Sequence, residues 1–213
     1  LNGLKGGHSG VDIHLGLGNA NKMLSSILYS LSKEIDFSIS SFKGGSLRNA
    51  IPREATAIVS IPNTTIKNFH SLLSEFSLQL KAKTATLEPT LDITVKCIQT
   101  DVTILDTETQ QQFLSSISKC LNGVFTMDKN IPKLVETSNN LAKIVLGNGK
   151  IQIDCLLRSS VESSKENLTN ELKTIFEQYA FKVVTDGEYP GWQPNPTSEI
   201  LAVATNTYTN LFN

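Results

Sequence analysis

The sequence predicts an α+β fold, in which strands pair into open antiparallel sheets and helices pack on one face. The main observation is that the order helix, strand, strand, helix, strand occurs twice along the chain. A second is a hairpin signal, Gly147-Asn148-Gly149, between two strand-like segments of the second half. A third is length, because 213 residues suffice for one large domain or two small ones. The two halves share no close residue identity, so the repeat is one of structure.

The first half is predicted from hydrophobic periodicity. Apolar residues recur every three or four positions in the helical segments and alternate with polar residues in the strands. Asn19 or Asn21 is the expected N-cap of the first helix. An extended piece at residues 2–7, or residues upstream of Leu1, would supply a preceding strand. The helix, two strands, helix and strand are expected over residues 18–35, 36–43, 55–61, 66–80 and 91–97.

The second half repeats this pattern. Its first helix is expected to be capped by Asp106 or Thr107 and to end at Gly123, since glycine readily takes the conformation that terminates helices. The corresponding five elements are expected over residues 106–122, 134–146, 150–157, 162–179 and 181–185.

The last part of the chain has a different character. Residues 189–196 contain three prolines, which exclude them from a helix interior or a central strand. Residues 198–212 follow as a helix with no evident apolar partner in the preceding sequence. We therefore expect one domain over residues 1–189 and, over residues 190–213, a connector and the first helix of an incomplete second domain. The chain opens on Leu1 rather than on Met, so we expect it to be cut from something longer.

Composition narrows the possible function classes. Hydrophobic residues make up 39% of the chain, charged residues 18%, and the net charge is -1, so no basic surface for nucleic acid is predicted. No apolar run approaches the roughly 20 residues that span a bilayer, and the N-terminus lacks a signal-peptide pattern. Three cysteines, Cys97, Cys120 and Cys155, are far apart in sequence. We expect buried thiols rather than a disulfide or metal framework, which fits a reducing cytoplasm.

Three polar residues in or beside turns are candidates for a binding site. His8 lies in the segment Gly6-Gly7-His8-Ser9-Gly10, where the backbone can approach a ligand closely. Asn49 lies in the polar loop of Gly44–Ala55, and Arg158 lies at the end of a later strand. Together they are of the kind that binds an anionic or carbonyl-bearing substrate.

Spacing alone does not yield a complete active site. His8 and His14 could hold one metal together with Asp12, but catalytic zinc requires at least three protein ligands, and no further ligand with recognisable spacing appears. Motifs for an activated nucleophile or a phosphate loop are missing from the sequence. His70 lies within an amphipathic helix and is expected at its surface. No metal ligand is therefore predicted in this chain.

Five segments of the chain resemble the aminoacyl-histidine (Xaa-His) dipeptidases, which belong to the M20 group of metallopeptidases. Together they extend over most of the chain, and the first two are the most specific. Leu17 stands where this subgroup is expected to have a basic residue. The segments are Gly3–His14, Gly18–Lys22, Gly44–Ala55, Leu157–Ser160 and Tyr189–Pro194.

The resemblance implies a two-domain, cytoplasmic enzyme. A catalytic domain would bind two divalent metal ions, usually zinc, and a lid domain inserted into it would form the homodimer interface. The lid has ferredoxin-like βαββαβ character, so this chain is expected to contain two such halves. Residues 190–213 would return to the catalytic domain. The metal ligands and the general base would lie outside the chain, which alone is expected to be inactive; no nucleic-acid or membrane partner is implied.

The resemblance also assigns roles to the three candidates. His8 matches the lid histidine that helps to hold the scissile carbonyl oxygen. Asn49 and Arg158 match substrate-binding positions, with Arg158 directed toward the C-terminal carboxylate of a dipeptide. Two alternatives remain open: the lid of another M20 hydrolase, such as a tripeptidase or a deacylase, and a stand-alone ferredoxin-like module that binds an effector at the His8 loop.

Overall fold

The computed structural model describes residues 1–99, 101–192 and 194–212, and it has the predicted α+β architecture with antiparallel sheets. A single 3₁₀ turn over Ile13–Leu15 lies between the first strand and the first helix. The elements in chain order are β1 (Gly7–His8), α1 (Ala20–Glu34), β2 (Ser38–Gly44), β3 (Ala50–Ile51), β4 (Ala55–Ser60), α2 (Ile66–Thr84), α3 (Thr107–Lys119), β5 (Gly123–Met127), β6 (Val135–Gly147), β7 (Lys150–Ser159), α4 (Glu162–Gln178) and α5 (Glu199–Phe212).

The long strand β6 organises the main sheet. β7 pairs with β6 along nearly its whole length, from Gly147 opposite Lys150 to Thr137 opposite Ser159. The other edge of β6 is shared by β5 and by β2, and β4 pairs in turn with β2. β1 and β3 form a separate two-stranded ladder, in which His8 lies opposite Ala50. Within the sheet, the two halves of the chain therefore meet at the contact between β2 and β6.

Helices α1 to α4 cover the main sheet and share one hydrophobic core with it. α1 packs against both α2 and α3, and α3 contacts α4. Phe42 of β2 and Phe113 of α3 are both fully buried, and their rings meet edge-on with centroids 5.7 Å apart. Burial of such aromatic pairs ties the helix layer to the sheet.

Several local signals in the sequence are confirmed. The amide oxygen of Asn19 caps α1 by accepting from the backbone N–H of Lys22, and the Asp106 carboxylate caps α3 by accepting from Thr109. β6 and β7 are joined by a two-residue turn at Asn148 and Gly149, with φ angles of 52° and 71°. Positive φ at both positions is what a type I′ hairpin turn requires.

Two predicted strands are wrong. Within the described residues, the segment predicted over 91–97 forms only an isolated bridge between Asp92 and Asn2, and the segment over 181–185 forms no strand. Some apolar residues of these segments pack onto the core without a strand partner, as Ile93 and Val183 do, whereas Val95 is exposed. Within the described residues, each half therefore keeps the predicted helix, strand, strand and helix, with β5 as an additional strand in the second half, but lacks the predicted last strand.

Two further expectations are corrected at strand β5 and at the first extended piece. α3 ends at Lys119, and Gly123 is the first residue of β5 rather than a helix terminator. Of the piece predicted at 2–7, only Gly7 enters a strand, together with His8.

The cysteines are free but not uniformly buried. Cys120 is buried as expected and Cys155 is half-buried, whereas Cys97 is exposed, because the segment that carries it forms no ladder and lies at the surface. The sulfur atoms of Cys120 and Cys155 lie 4.0 Å apart.

Helix α5 differs from the other helices because it has no buried residue. Its apolar side chains are largely exposed, among them Ile200 at 75% and Phe212 at 70%. Within the described residues, no helix has the length and apolar character needed to cross a membrane.

Candidate functional site

The loop that follows β1 holds the His8 side chain in a defined orientation. Its Nδ1 accepts hydrogen bonds from the backbone N–H groups of Gly10 and Val11, at 3.1 and 3.2 Å. A ring nitrogen that accepts in this way carries no proton, so the neutral imidazole bears its proton on Nε2. Since the side chain is exposed, the Nε2–H group is the donor that His8 offers to a ligand.

Glycine is required where this loop folds back on itself. The Asp12 carboxylate accepts from the backbone N–H of His8 at 2.8 Å. A Cβ atom at Gly7 would lie only 2.9 Å from the Asp12 Cβ. The glycine-rich pattern in the sequence thus reflects a tight turn that fixes the backbone of His8.

The second predicted residue, Asn49, lies beside this loop. Its backbone carbonyl accepts from the N–H of Ser9 at 2.8 Å, and its side chain is exposed. The neighbouring backbone is held by Asn140, a buried residue of β6, whose amide nitrogen donates to the carbonyl oxygens of Arg48 and Ala50 at 3.2 and 2.8 Å.

Sequence reasoning missed this role of Asn140. The run Thr137-Ser138-Asn139-Asn140 gave a signal, because four consecutive polar residues are unusual in a strand whose remaining positions are mostly apolar.

The structure brings Arg158 next to His8. A Cβ atom placed on Gly10 would lie 3.1 Å from Cε1 of His8 and 3.3 Å from Nε of Arg158, so both side chains contact the same glycine. The Arg158 Nε is buried and lacks a hydrogen-bond partner within the described residues. Nη1 of Arg158 makes one long contact, 3.4 Å, with the hydroxyl of Tyr189.

His8 and Arg158 both line a groove of about 1070 Å³. Its walls are formed by β7, one side of α4 and the segment over residues 181–192. Asn49 is not among its lining residues in the described part of the chain, although the adjacent Arg48 is. The structure therefore groups His8 with Arg158 directly and places Asn49 at the rim.

Three other cations that line the groove, Arg48, Lys165 and Lys173, are engaged in ion pairs, the last with Glu177 at 3.8 Å. Lys182 also lines the groove and has no ion pair among the described residues. Arg48 contacts Asp186 at 2.7 Å, and Lys165 contacts Glu162 at 2.6 Å and Glu188 at 3.1 Å. Hydrogen bonds to Glu162 and then to Glu188 raise the pKa of Lys165. Conversely, hydrogen bonds from Lys165 and from the Gly191 N–H lower the pKa of Glu162. The pairs of Arg48 and Lys165 hold residues 186–191 over the groove.

Arg158 is the cation of the groove that lies beside His8. Among residues 1–99, 101–192 and 194–212 it has no carboxylate partner within ion-pair distance. A guanidinium is the side chain best matched to a carboxylate. The arrangement therefore offers a neutral N–H donor for a carbonyl oxygen and, beside it, a cation for an anionic group.

The described residues do not form a metal-binding site. In the part of the chain that the structure describes, no three His, Cys, Asp or Glu side chains converge closely enough to hold a metal ion. The described residues therefore do not fit a metal centre.

The fold and the sequence place the chain in a class of peptidase domains. The family described as the M20 peptidase dimerisation domain matches residues 1–88. The resemblance to the M20 group inferred from the sequence is confirmed.

Two known dipeptidases are similar over the entire chain. The cytosol non-specific dipeptidase of Escherichia coli (strain K12) is 35% identical over 213 residues, which are 44% of that protein. The crystal structure of the aminoacylhistidine dipeptidase from Vibrio alginolyticus matches with a TM-score of 0.92 and 35% identity, covering all of this chain and 43% of that one. The chain thus spans less than half the length of either protein, and a stand-alone effector-binding module is not favoured.

Proposed function

We propose that this chain is the lid of a metal-dependent dipeptidase that hydrolyses Xaa-His and related dipeptides. Residues 1–189 would form the lid, and residues 190–213 the connector and first helix of the catalytic domain. The observation that carries the proposal is the contact of His8 and Arg158 with the same glycine at the groove. A dipeptide places a scissile carbonyl and a free carboxylate only a few bonds apart, which matches two such adjacent groups. Both similar proteins are named as dipeptidases.

His8 is proposed to bind the carbonyl oxygen of the scissile bond through Nε2–H. Water attack on the carbonyl turns this oxygen into an oxyanion, and a donor already fixed in place stabilises that charge. The backbone N–H groups of Gly10 and Val11 fix the ring, so little reorganisation is needed as the charge develops. When bound, two divalent ions, zinc by preference, would supply the activated water from the catalytic domain.

Arg158 is proposed to bind the C-terminal carboxylate of the dipeptide. Its guanidinium lacks a carboxylate partner among the described residues, and its buried Nε has an unused donor. Asn49 is proposed to contact the substrate from the rim of the groove. This use of Arg158 predicts selection for a free C-terminus, since an amidated dipeptide offers no negative charge to the guanidinium.

The assembled enzyme is proposed to be a cytoplasmic homodimer that associates through this domain. The matching family is described as a dimerisation domain, and one similar protein is named as a cytosolic enzyme. Strand β4 pairs with β2 alone within the described residues, which leaves an edge strand that a second copy can cover.

The test compares a dipeptide with its C-terminal amide in the complete enzyme. Wild-type enzyme is expected to prefer the free acid, and Arg158→Ala should reduce that preference by about 10- to 100-fold in kcat/KM, the range expected for one charge-assisted contact. Arg48→Ala is the matched control, because this arginine also lines the groove but is paired with Asp186. An unchanged preference in the Arg158 variant would refute the proposed role. Faster hydrolysis of tripeptides or acylated amino acids would indicate another M20 hydrolase.

A further inference from the structure

Glu88 is a buried carboxylate that joins two distant points of the chain. It follows α2 and is only 2% exposed. One carboxylate oxygen accepts from the backbone N–H of Lys5 at 2.8 Å, and the other accepts from the backbone N–H of Gly18 at 2.7 Å. Because each carboxylate oxygen has its own backbone donor, the Glu88 side chain is held in one orientation.

The two donors are the two ends of the loop that carries His8. The segment from Lys5 to Gly18 leaves the Glu88 carboxylate at one oxygen and returns to it at the other. Gly18 permits the close approach, since a Cβ atom there would lie 3.2 Å from Cγ of Glu88. Between these ends, the bond from Ser9 N–H to the Asn49 carbonyl ties the loop to the neighbouring chain.

The chain around Glu88 supports the same contact. The Thr90 hydroxyl donates to the carbonyl oxygen of Gly3 at 2.6 Å. Asn2 and Asp92 exchange two backbone hydrogen bonds of 2.9 Å. Residues 88–92 therefore form a fixed support along the approach to the loop, and Glu88 alone extends that support to the far end at Gly18.

We propose that Glu88 is a positioning residue that fixes the His8 loop by binding both of its ends. The proposal rests on the proposed function of His8. A displacement of about 1 Å at a group that stabilises a transition state can cost on the order of 100-fold in rate. Loss of one of the two hydrogen bonds to Glu88 should therefore affect kcat more than substrate binding. Glu88 itself does not line the groove.

The experiment uses Glu88→Gln in the complete enzyme, with Glu75→Gln as control. The substitution keeps the shape of the side chain but places an amide N–H₂ against a backbone N–H. Glu75 undergoes the same chemical change at an exposed position of helix α2, where its carboxylate accepts a hydrogen bond from the amide of Gln79. We expect the Glu88 variant to lose about 10- to 100-fold in kcat with KM nearly unchanged. Hydrogen exchange of amides in residues 5–18 should become faster, and the control should change neither quantity.

A double-mutant cycle with His8→Ala distinguishes the proposed role of Glu88 from the proposed role of His8. If Glu88 acts by positioning His8, Glu88→Gln should lower kcat no further once the imidazole is gone. The proposal would be wrong if the two losses in kcat multiply fully in the double variant. It would also be wrong if hydrogen exchange of the amides in residues 5–18 is unchanged in Glu88→Gln. If His8→Ala alone leaves kcat intact, the proposed role of His8 fails, and exchange in the loop then decides whether Glu88 holds it.

Discussion

Gly10 determines how close the two proposed substrate-binding groups can come. Its missing side chain is the space in which the His8 ring and the Arg158 guanidinium approach each other. Neither partner is locked in the core, because His8 is exposed and Arg158 is only half-buried. An added methyl group would therefore displace the functional groups rather than disrupt the fold.

We accordingly expect Gly10→Ala to impair activity without destabilising the protein. In the complete enzyme, kcat/KM should fall by about tenfold, because both groups must shift by a few tenths of an ångström from a fixed geometry. The melting temperature should change little. Gly147→Ala is the control, since a Cβ atom there meets nothing closer than 4.0 Å. Wild-type kinetics for the Gly10 variant would show that the proximity of His8 and Arg158 has no functional importance.

The elements show where sequence reasoning succeeds. The caps of α1 and α3 and the turn between β6 and β7 are determined by residues within three positions of each other, so the sequence alone predicts them. Alternation at 91–97 and 181–185 predicted strands that did not form, because one-sided packing produces the same pattern as a ladder. Strand β5 was not predicted, because it is recognisable as a strand only from its pairing with β6.

Lys22 illustrates an interaction between elements that no local pattern indicates. Its ammonium group, at the start of α1, donates to the carbonyl oxygens of Ile117, Ser118 and Cys120 at 2.7, 3.0 and 2.9 Å. These carbonyls lie at the C-terminal end of α3, which carries partial negative charge. Burial lowers the pKa of Lys22. The residue therefore links α1 to α3 through charge as well as packing.

Replacing Lys22 should thus destabilise the domain. We expect Lys22→Met to lower the free energy of unfolding by about 1–3 kcal/mol, because the carbonyl groups at the end of α3 lose their charged donor. Chemical denaturation of this chain gives the value. Lys83→Met is the comparison, since Lys83 is an exposed cation in the last turn of α2, and a change within about 0.5 kcal/mol is expected there. Equal losses in the two variants would contradict a specific role for Lys22.

On the scale of the whole molecule, the site depends on contacts between remote parts of the chain. The resemblance to a known family indicated His8, Asn49 and Arg158, but not the residues that hold them. Glu88 contacts Lys5 across 83 positions, and Asn140 contacts Arg48 across 92. Such bonds follow from the packing of α2 and β6, so a sequence without its fold does not reveal them.

Helix α5 tests the proposed domain boundary after residue 189. Helix α5 buries no residue, so it contributes nothing to the core formed by α1 to α4 and the sheet. We expect removal of residues 195–213 to leave the melting temperature within about 2 °C, because surface changes away from packed contacts cost little. It should also reduce association at high concentration, since exposed apolar helix faces attract each other. A large drop in melting temperature would place α5 within the lid.

The proposed role of His8 is to supply a hydrogen-bond donor to the oxyanion in a dipeptidase. Steady-state kinetics of His8→Ala in the metal-loaded complete enzyme, on an Xaa-His dipeptide, test it most directly. We expect a fall of about 10²- to 10³-fold in kcat with KM within about threefold of wild type, because the oxyanion exists only in the transition state. His14→Ala, an exposed histidine of the same loop, should behave like wild type. A folded His8 variant that retains wild-type kcat would contradict the claim.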